Sequence, residues 1–205
     1  MYRKLIAFLA ALVPVIALAQ EGPDALVKRT TDEVLAIIKS DKDLQAGNSR
    51  KVVELAEAKV LPHFDFARMT RLAVGRNWAQ ATDAQKEALT KEFRTLLVRT
   101  YSTSLSQYRN QTIEVKPTKL GAADKEAVVK TAVIQQGGPS IPIDYAMEKM
   151  DSGWKVYDVV IDGASLVTTY RSTFNEQVQK GGIDGLLKTL AERNQAPQPP
   201  AAPKK

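Results

Sequence analysis

Apolar residues return every three or four positions through the first half of the chain and every second position through the stretch that follows. That change of period predicts the elements. Asp24 onward carries Leu26, Val27, Val34, Ile37 and Ile38 on one face of a helix ending near Ser40-Asp41-Lys42. Asn48-Ser49 opens a second helix with Val52, Val53, Ala56 and Val60 inward, closed at Pro62 because proline cannot continue the hydrogen-bond ladder. Asp65 can cap a third through Met69 and Leu72 to Val74, with Gly75 as a left-handed stop. The fourth helix organises the rest. Thr82-Asp83-Ala84-Gln85 has the form of a capping box, and Leu89, Phe93, Leu97, Tyr101, Leu105 and Tyr108 follow along one stripe. Some 26 residues at 1.5 Å each make a rod of about 39 Å. Lys86, Lys91, Arg94, Arg99 and Gln107 occupy its polar face.

From Gln111 the period is two. Thr112 to Thr118, Glu126 to Gln136, Ile141 to Met150 and Trp154 to Ile161 read as four strands, joined by turns at Gly137-Gly138 and Asp151-Ser152-Gly153. Short connections make them an antiparallel meander with one face buried. Ile143, Tyr145 and Met147 share one side of their strand. Two further apolar stripes, Leu166, Val167, Tyr170, Phe174, Val178 and then Ile183, Leu186, Leu187, Leu190, are separated by Gly181-Gly182 and close an α+β domain.

The ends of the chain differ from its middle. Arg3 and Lys4, the apolar run Leu5 to Leu18 and the small residues at Ala17 and Ala19 have the pattern of a secretory leader, too short to span a bilayer, so residues 1–19 are expected to be cleaved. Residues 20–195 form one domain of sufficient length for a sizeable core. Residues 196–205, rich in proline and alanine, are expected to form a disordered tail. The formal charge of +6 falls by two with the leader and by two more with Lys204 and Lys205, leaving a folded part too weakly basic to argue for nucleic acid. Cysteine is absent, which excludes disulfides, thiol nucleophiles and thiolate metal sites.

Candidate chemistry is sparse. His63 is the sole histidine, the acids are dispersed rather than clustered, and no serine sits in a Gly-x-Ser-x-Gly turn. What stands out is apolar surplus. If the long helix lies across the sheet, its stripe, the row of Ile143, Tyr145 and Met147, Val159, Ile161, Tyr170 and Phe174 converge on one space. That space is either a packed core or an apolar cavity, and the tyrosine hydroxyls weigh toward a cavity mouth.

Two long motifs then point to a family. His63-Phe64-Asp65-Phe66-Ala67-Arg68-Met69 with Leu72-Ala73-Val74-Gly75-Arg76-Asn77-Trp78, and Gly153-Trp154-Lys155-Val156-Tyr157-Asp158-Val159-Val160-Ile161-Asp162-Gly163-Ala164-Ser165-Leu166-Val167 with Tyr170-Arg171, Phe174 and Gly182-Ile183-Asp184-Gly185-Leu186, resemble the MlaC family of periplasmic phospholipid carriers, the toluene-tolerance proteins. Ala164 departs from the family's commoner valine. The resemblance implies a curved four-stranded antiparallel sheet with helices on its concave face, a cone similar to nuclear transport factor and cystatin. It implies a Gram-negative periplasmic monomer without cofactor or metal, whose cargo is a glycerophospholipid held by its acyl chains. It also implies partners: the outer-membrane lipoprotein MlaA with a porin, and an inner-membrane ABC transporter bearing the MCE-domain protein MlaD. The residues expected to contact the chains are Trp78, Phe93, Leu97, Tyr101, Leu105, Tyr145, Met147, Val159, Tyr170 and Phe174, with Arg171 expected beside the headgroup. An adaptor with a filled core and an isomerase-like enzyme using Asp158 or Asp144 are the alternatives.

Overall fold

The computed structural model describes residues 21–106, 111–121, 123–135 and 137–196, with side chains described at these positions other than 103–106. The expected leader, Tyr108, Arg109 and all but the first residue of the expected tail lie outside them. Helices come first: α1 (Pro23–Ser40), a single turn α2 (Lys42–Gln45), α3 (Ser49–Lys59), α4 (Phe66–Val74) and α5 (Asp83–Ser106), then strands β1 (Thr112–Val115), β2 (Glu126–Ile134), β3 (Ile141–Met150), β4 (Gly153–Ile161) and β5 (Ala164–Ser165), then α6 (Leu166–Gln195). Short 3-10 turns, Leu61–His63 and Gly75–Gln80, bracket α4.

The helix starts obey local chemistry. Asn48 accepts from the Lys51 amide, Asp65 from the Arg68 amide, and Thr82 and Gln85 exchange side-chain bonds with each other's amides at 2.9 and 3.2 Å. Gly75, at φ +63°, ends α4 in a conformation that suits glycine. Gly181 and Gly182 leave helical geometry inside α6, and the kink lets Phe174 on one arm and Leu186 and Leu190 on the other join one core.

The strands form a single antiparallel sheet in the order β1-β2-β3-β4-β5. The expectation of four strands is therefore short by one. Asp162 and Gly163, both at positive φ, make a two-residue hairpin that returns the chain as β5, with Ile161 opposite Ala164. At the other edge, β1 ends at Val115 rather than reaching Thr118. A bulge between Ala146 and Met147 leaves Tyr157 without a partner on β3, so Val156 and Val159, three residues apart, both face inward.

The helices do not lie where the long stripe suggested. α5 packs chiefly on α3, α4 and α6, while α1 is the helix that meets β1 and β2. Among the described residues three apolar clusters result: one among α4, α5 and α6, one where Leu26 and Val27 meet the inner sheet face, and one joining α1 to α2 and α3. Between the sheet and the arch of α1, α3 and α5 lies a cavity.

Candidate lipid-binding cavity

Inner-face positions of the sheet show where this cavity opens. Along β3, Met147 is wholly buried, whereas Tyr145, Ile143 and Ile141 are each partly accessible. Along β2, Val129 is wholly buried while Val133, and Gln135 just past the strand, are not. The floor is thus at Met147 and Val156, and the mouth at the turn between β2 and β3, with Gln111 and Gln135 on its rim. The cavity holds about 520 Å³. That lies within the range of small-molecule sites. No lysine, arginine or carboxylate lines it among the described residues, and its few polar members are Thr30, Thr31, His63, Ser102, the two glutamines and the tyrosines. Such a wall repels ions and accepts hydrocarbon.

The expected contact residues divide into two groups. Leu97, Tyr101, Tyr145, Met147 and Val159 line the cavity. Trp78, Phe93, Tyr170 and Phe174 do not. They belong to the cluster among α4, α5 and α6, where the Phe93 ring meets Tyr170 and Phe174 edge-on at 5.0 and 5.1 Å. The reason is one of level along the helix: Phe93 and Leu97 lie one turn apart on the same face of α5, and the rings of Tyr170 and Phe174 on α6 cover the first. Leu105 is in α5, but its side chain lies outside those described. Arg171 is exposed and donates from Nε to the Leu72 carbonyl at 2.9 Å, clasping the end of α4 away from the cavity lining.

Sequence periodicity turned Leu26, Val27, Val34, Ala56 and Val60 inward but did not assign them to the cavity. Leu26, Val27, Thr30, Thr31, Val34 and Leu35 of α1 line the cavity, as do Ala56 of α3 and Val60 just after it. The available signal was Thr30-Thr31 in the inward face of an otherwise apolar stripe, since a packed core has little use for two hydroxyls.

Electrostatics is quiet here. Burial holds the His63 imidazole below its ordinary value, with Arg29 and Lys155 adding to the effect and Glu21 and Glu33 opposing it. Burial pushes the Tyr145 phenol up, partly offset by Thr131, and raises Tyr101 as well. Both phenols therefore stay protonated near neutral pH. Neither aspartate considered for catalysis reaches the cavity. Asp158 accepts from the Val159 and Val167 amides and the Ser165 hydroxyl, at 2.8, 3.1 and 2.6 Å, which anchors the start of α6. Asp144 pairs in register with Lys130 on β2. Among the described residues, no group of three or more His, Cys, Asp or Glu could hold a metal, and no helix is long and apolar enough to cross a membrane.

Several known proteins are similar to this chain. A phospholipid-binding protein from Ralstonia solanacearum, solved in complex with a phospholipid, superposes with a TM-score of 0.78 at 43% sequence identity, over 86% of this chain and 97% of that one. Toluene tolerance protein ttg2D of Pseudomonas putida is 27% identical over 95% of this chain and 93% of its own length. The intermembrane phospholipid transport system binding protein MlaC of Haemophilus influenzae is 22% identical over 92% and 89%. The sequence profile described as MlaC protein matches residues 28–192, and the chain belongs to that family.

Proposed function

We propose that this protein is a periplasmic carrier that holds the acyl chains of a glycerophospholipid in the cavity beneath α1 and moves it between the outer and inner membranes, sustaining the lipid asymmetry of the outer membrane. The observation that carries the reading is the cavity: about 520 Å³, open at one end, with a nearly uncharged wall. The phospholipid complex of the Ralstonia solanacearum relative and the transport role named for the Haemophilus influenzae relative support it.

The energetics suit a carrier. Burying a methylene is worth about 0.8 kcal/mol, so two ordinary acyl chains represent on the order of 20 kcal/mol against water. Loss into water is accordingly slow. Exchange with a bilayer replaces one apolar surrounding by another, so net affinity relative to membrane can lie near zero and the partners set direction. MlaA with its porin and the MlaD-bearing ABC transporter are the donor and acceptor this reading assigns. The first 19 residues act as a cleaved leader, and Leu97, Tyr101, Tyr145, Met147 and Val159 contact the chains. No catalytic step is assigned.

Mass spectrometry of the mature protein, purified from a Gram-negative periplasm without detergent, tests this, first native and then after organic extraction. A stoichiometric glycerophospholipid is expected. A clean mass for the protein alone, with the fold intact, would overturn the reading in favour of an adaptor.

A further inference from the structure

The cavity closes at one end only. Met147 and Val156, at 0% and 3% exposure, pack there with Ala127, Val129 and Trp154 of the sheet, and Leu26 and Val27 of α1 join the same cluster. Gln111 and Gln135 stand at the other end.

The distance between the two ends follows from two walls independently. β3 lines the cavity with alternate residues from Ile141 to Met147, and that stretch of strand is about 20 Å long. α1 lines it from Leu26 to Ile38, and that stretch of helix is about 18 Å long. An extended hydrocarbon advances about 1.2 Å per bond, because three bonds make up the roughly 3.3–3.6 Å of an extended residue. The space between floor and rim therefore takes about 16 carbons in line. A bilayer buries every methylene of a chain, whereas this cavity buries only those between its rim and its floor. A longer chain has to push its glycerol end past the glutamines and leave methylenes in water.

We infer that Met147, together with Val156, sets the longest acyl chain that the carrier holds in full, at about 16 to 18 carbons. This rests on the carrier reading and deepens it, since it names the lipids that the cavity selects against. The selection acts on chain length and not on the headgroup.

The test incubates the mature protein with vesicles of an equimolar mixture of phosphatidylcholines whose two monounsaturated chains have 14, 16, 18, 20 or 22 carbons, all fluid, and weighs the bound lipid by native mass spectrometry. Each methylene left in water lowers relative loading about fourfold. The wild type is expected to take the 14- and 16-carbon lipids within about twofold of each other and the 22-carbon lipid at least tenfold less often. Met147→Ala removes three heavy atoms from the floor and should raise the 20-carbon lipid several-fold relative to the 16-carbon one. Val156→Ala should shift the profile the same way by less, and it decides the matter if Met147→Ala does not fold. A flat wild-type profile from 14 to 22 carbons would overturn the inference while leaving the carrier reading intact, and so would an unchanged profile in the folded floor variants. Loading of no lipid by the wild type would overturn both.

Discussion

The ring of Phe93 on α5 meets the ring of Phe174 on α6 edge-on, with 5.1 Å between centroids and 75° between planes. Both side chains are almost inaccessible, at 0% and 1%. This pair is an internal joint of the helical layer. Phe174→Ala should cost about 3–5 kcal/mol, the usual range for emptying a buried aromatic site. Chemical denaturation measures that loss. The fraction that remains folded should retain lipid at the wild-type level, because the pair does not line the cavity.

Much of this was legible along the chain, and the failures have physical reasons. Thr82 with Gln85, Asp65 and Gly75 act through neighbours a few residues away, so their roles follow from spacing alone. Alternation placed Tyr145, Met147 and Val159 on the inner sheet face because the period of a strand admits two faces. On α5 the same stripe contains Phe93 and Leu97, and periodicity states only that both point inward. Whether the space ahead is another helix or a cavity depends on where α6 crosses, which is a long-range fact. β5 was missed for a different reason. Two residues carry no pattern, although Asp162-Gly163 is a hairpin signal in its own right.

Ile143 is partly accessible, and its side chain faces the cavity above the buried Met147. Ile143→Trp should therefore extend into the cavity rather than into packed protein. Thermal unfolding should show a change within about 1 kcal/mol, at the mild end of overpacking, while lipid recovered per mole of protein falls several-fold. Full recovery of lipid from a folded Ile143→Trp protein would move the acyl chains away from β3.

His63 makes stability depend on pH with a definite sign. Its folded value lies below the ordinary one near 6.5, because burial and the charges of Arg29 and Lys155 outweigh Glu21 and Glu33. Below 6.5 the unfolded chain binds the proton more readily, so the stability contribution is complete above that pH and is lost as pH falls through the depressed value. Melting temperatures from pH 7.5 to 5 should decline more steeply for the wild type than for His63→Gln. Parallel curves would show that the imidazole is not held neutral by its site.

Asp158 binds the start of α6 to β4 through two acceptor bonds, from the Ser165 hydroxyl and the Val167 amide. Asp158→Ala strands the Val167 amide, leaves the Ser165 hydroxyl only its 3.1 Å contact with Thr168 Oγ1, and should cost about 1–3 kcal/mol. Lipid occupancy at low temperature should be unchanged, because the carboxylate lies outside the cavity lining. A fall in occupancy without a fall in stability would instead return Asp158 to the functional site.

Arg68 resolves a conflict built into the sheet. Glu126 on β2 and Glu148 on β3 are direct cross-strand partners, and like charges so placed repel. The Arg68 guanidinium, from the first turn of α4, reaches Glu126 at 2.6 Å, bonds Glu148 as well, and lies 3.6 Å from the centroid of the Tyr157 ring. Tyr157 is the residue that the β4 bulge leaves without a partner on β3, so the bulge and the arginine form one device that fastens α4 to the sheet. A lysine has no planar fork and stacks poorly, so Arg68→Lys should cost about 1–2 kcal/mol. Arg68→Met removes the cation altogether and leaves two facing carboxylates, and should cost more. Adding Glu148→Gln to Arg68→Met should then recover part of the loss, whereas Glu148→Gln alone should destabilise. Urea denaturation of the four proteins closes the cycle. Simple additivity would mean that the arginine acts through packing on Tyr157 and not through the paired acids.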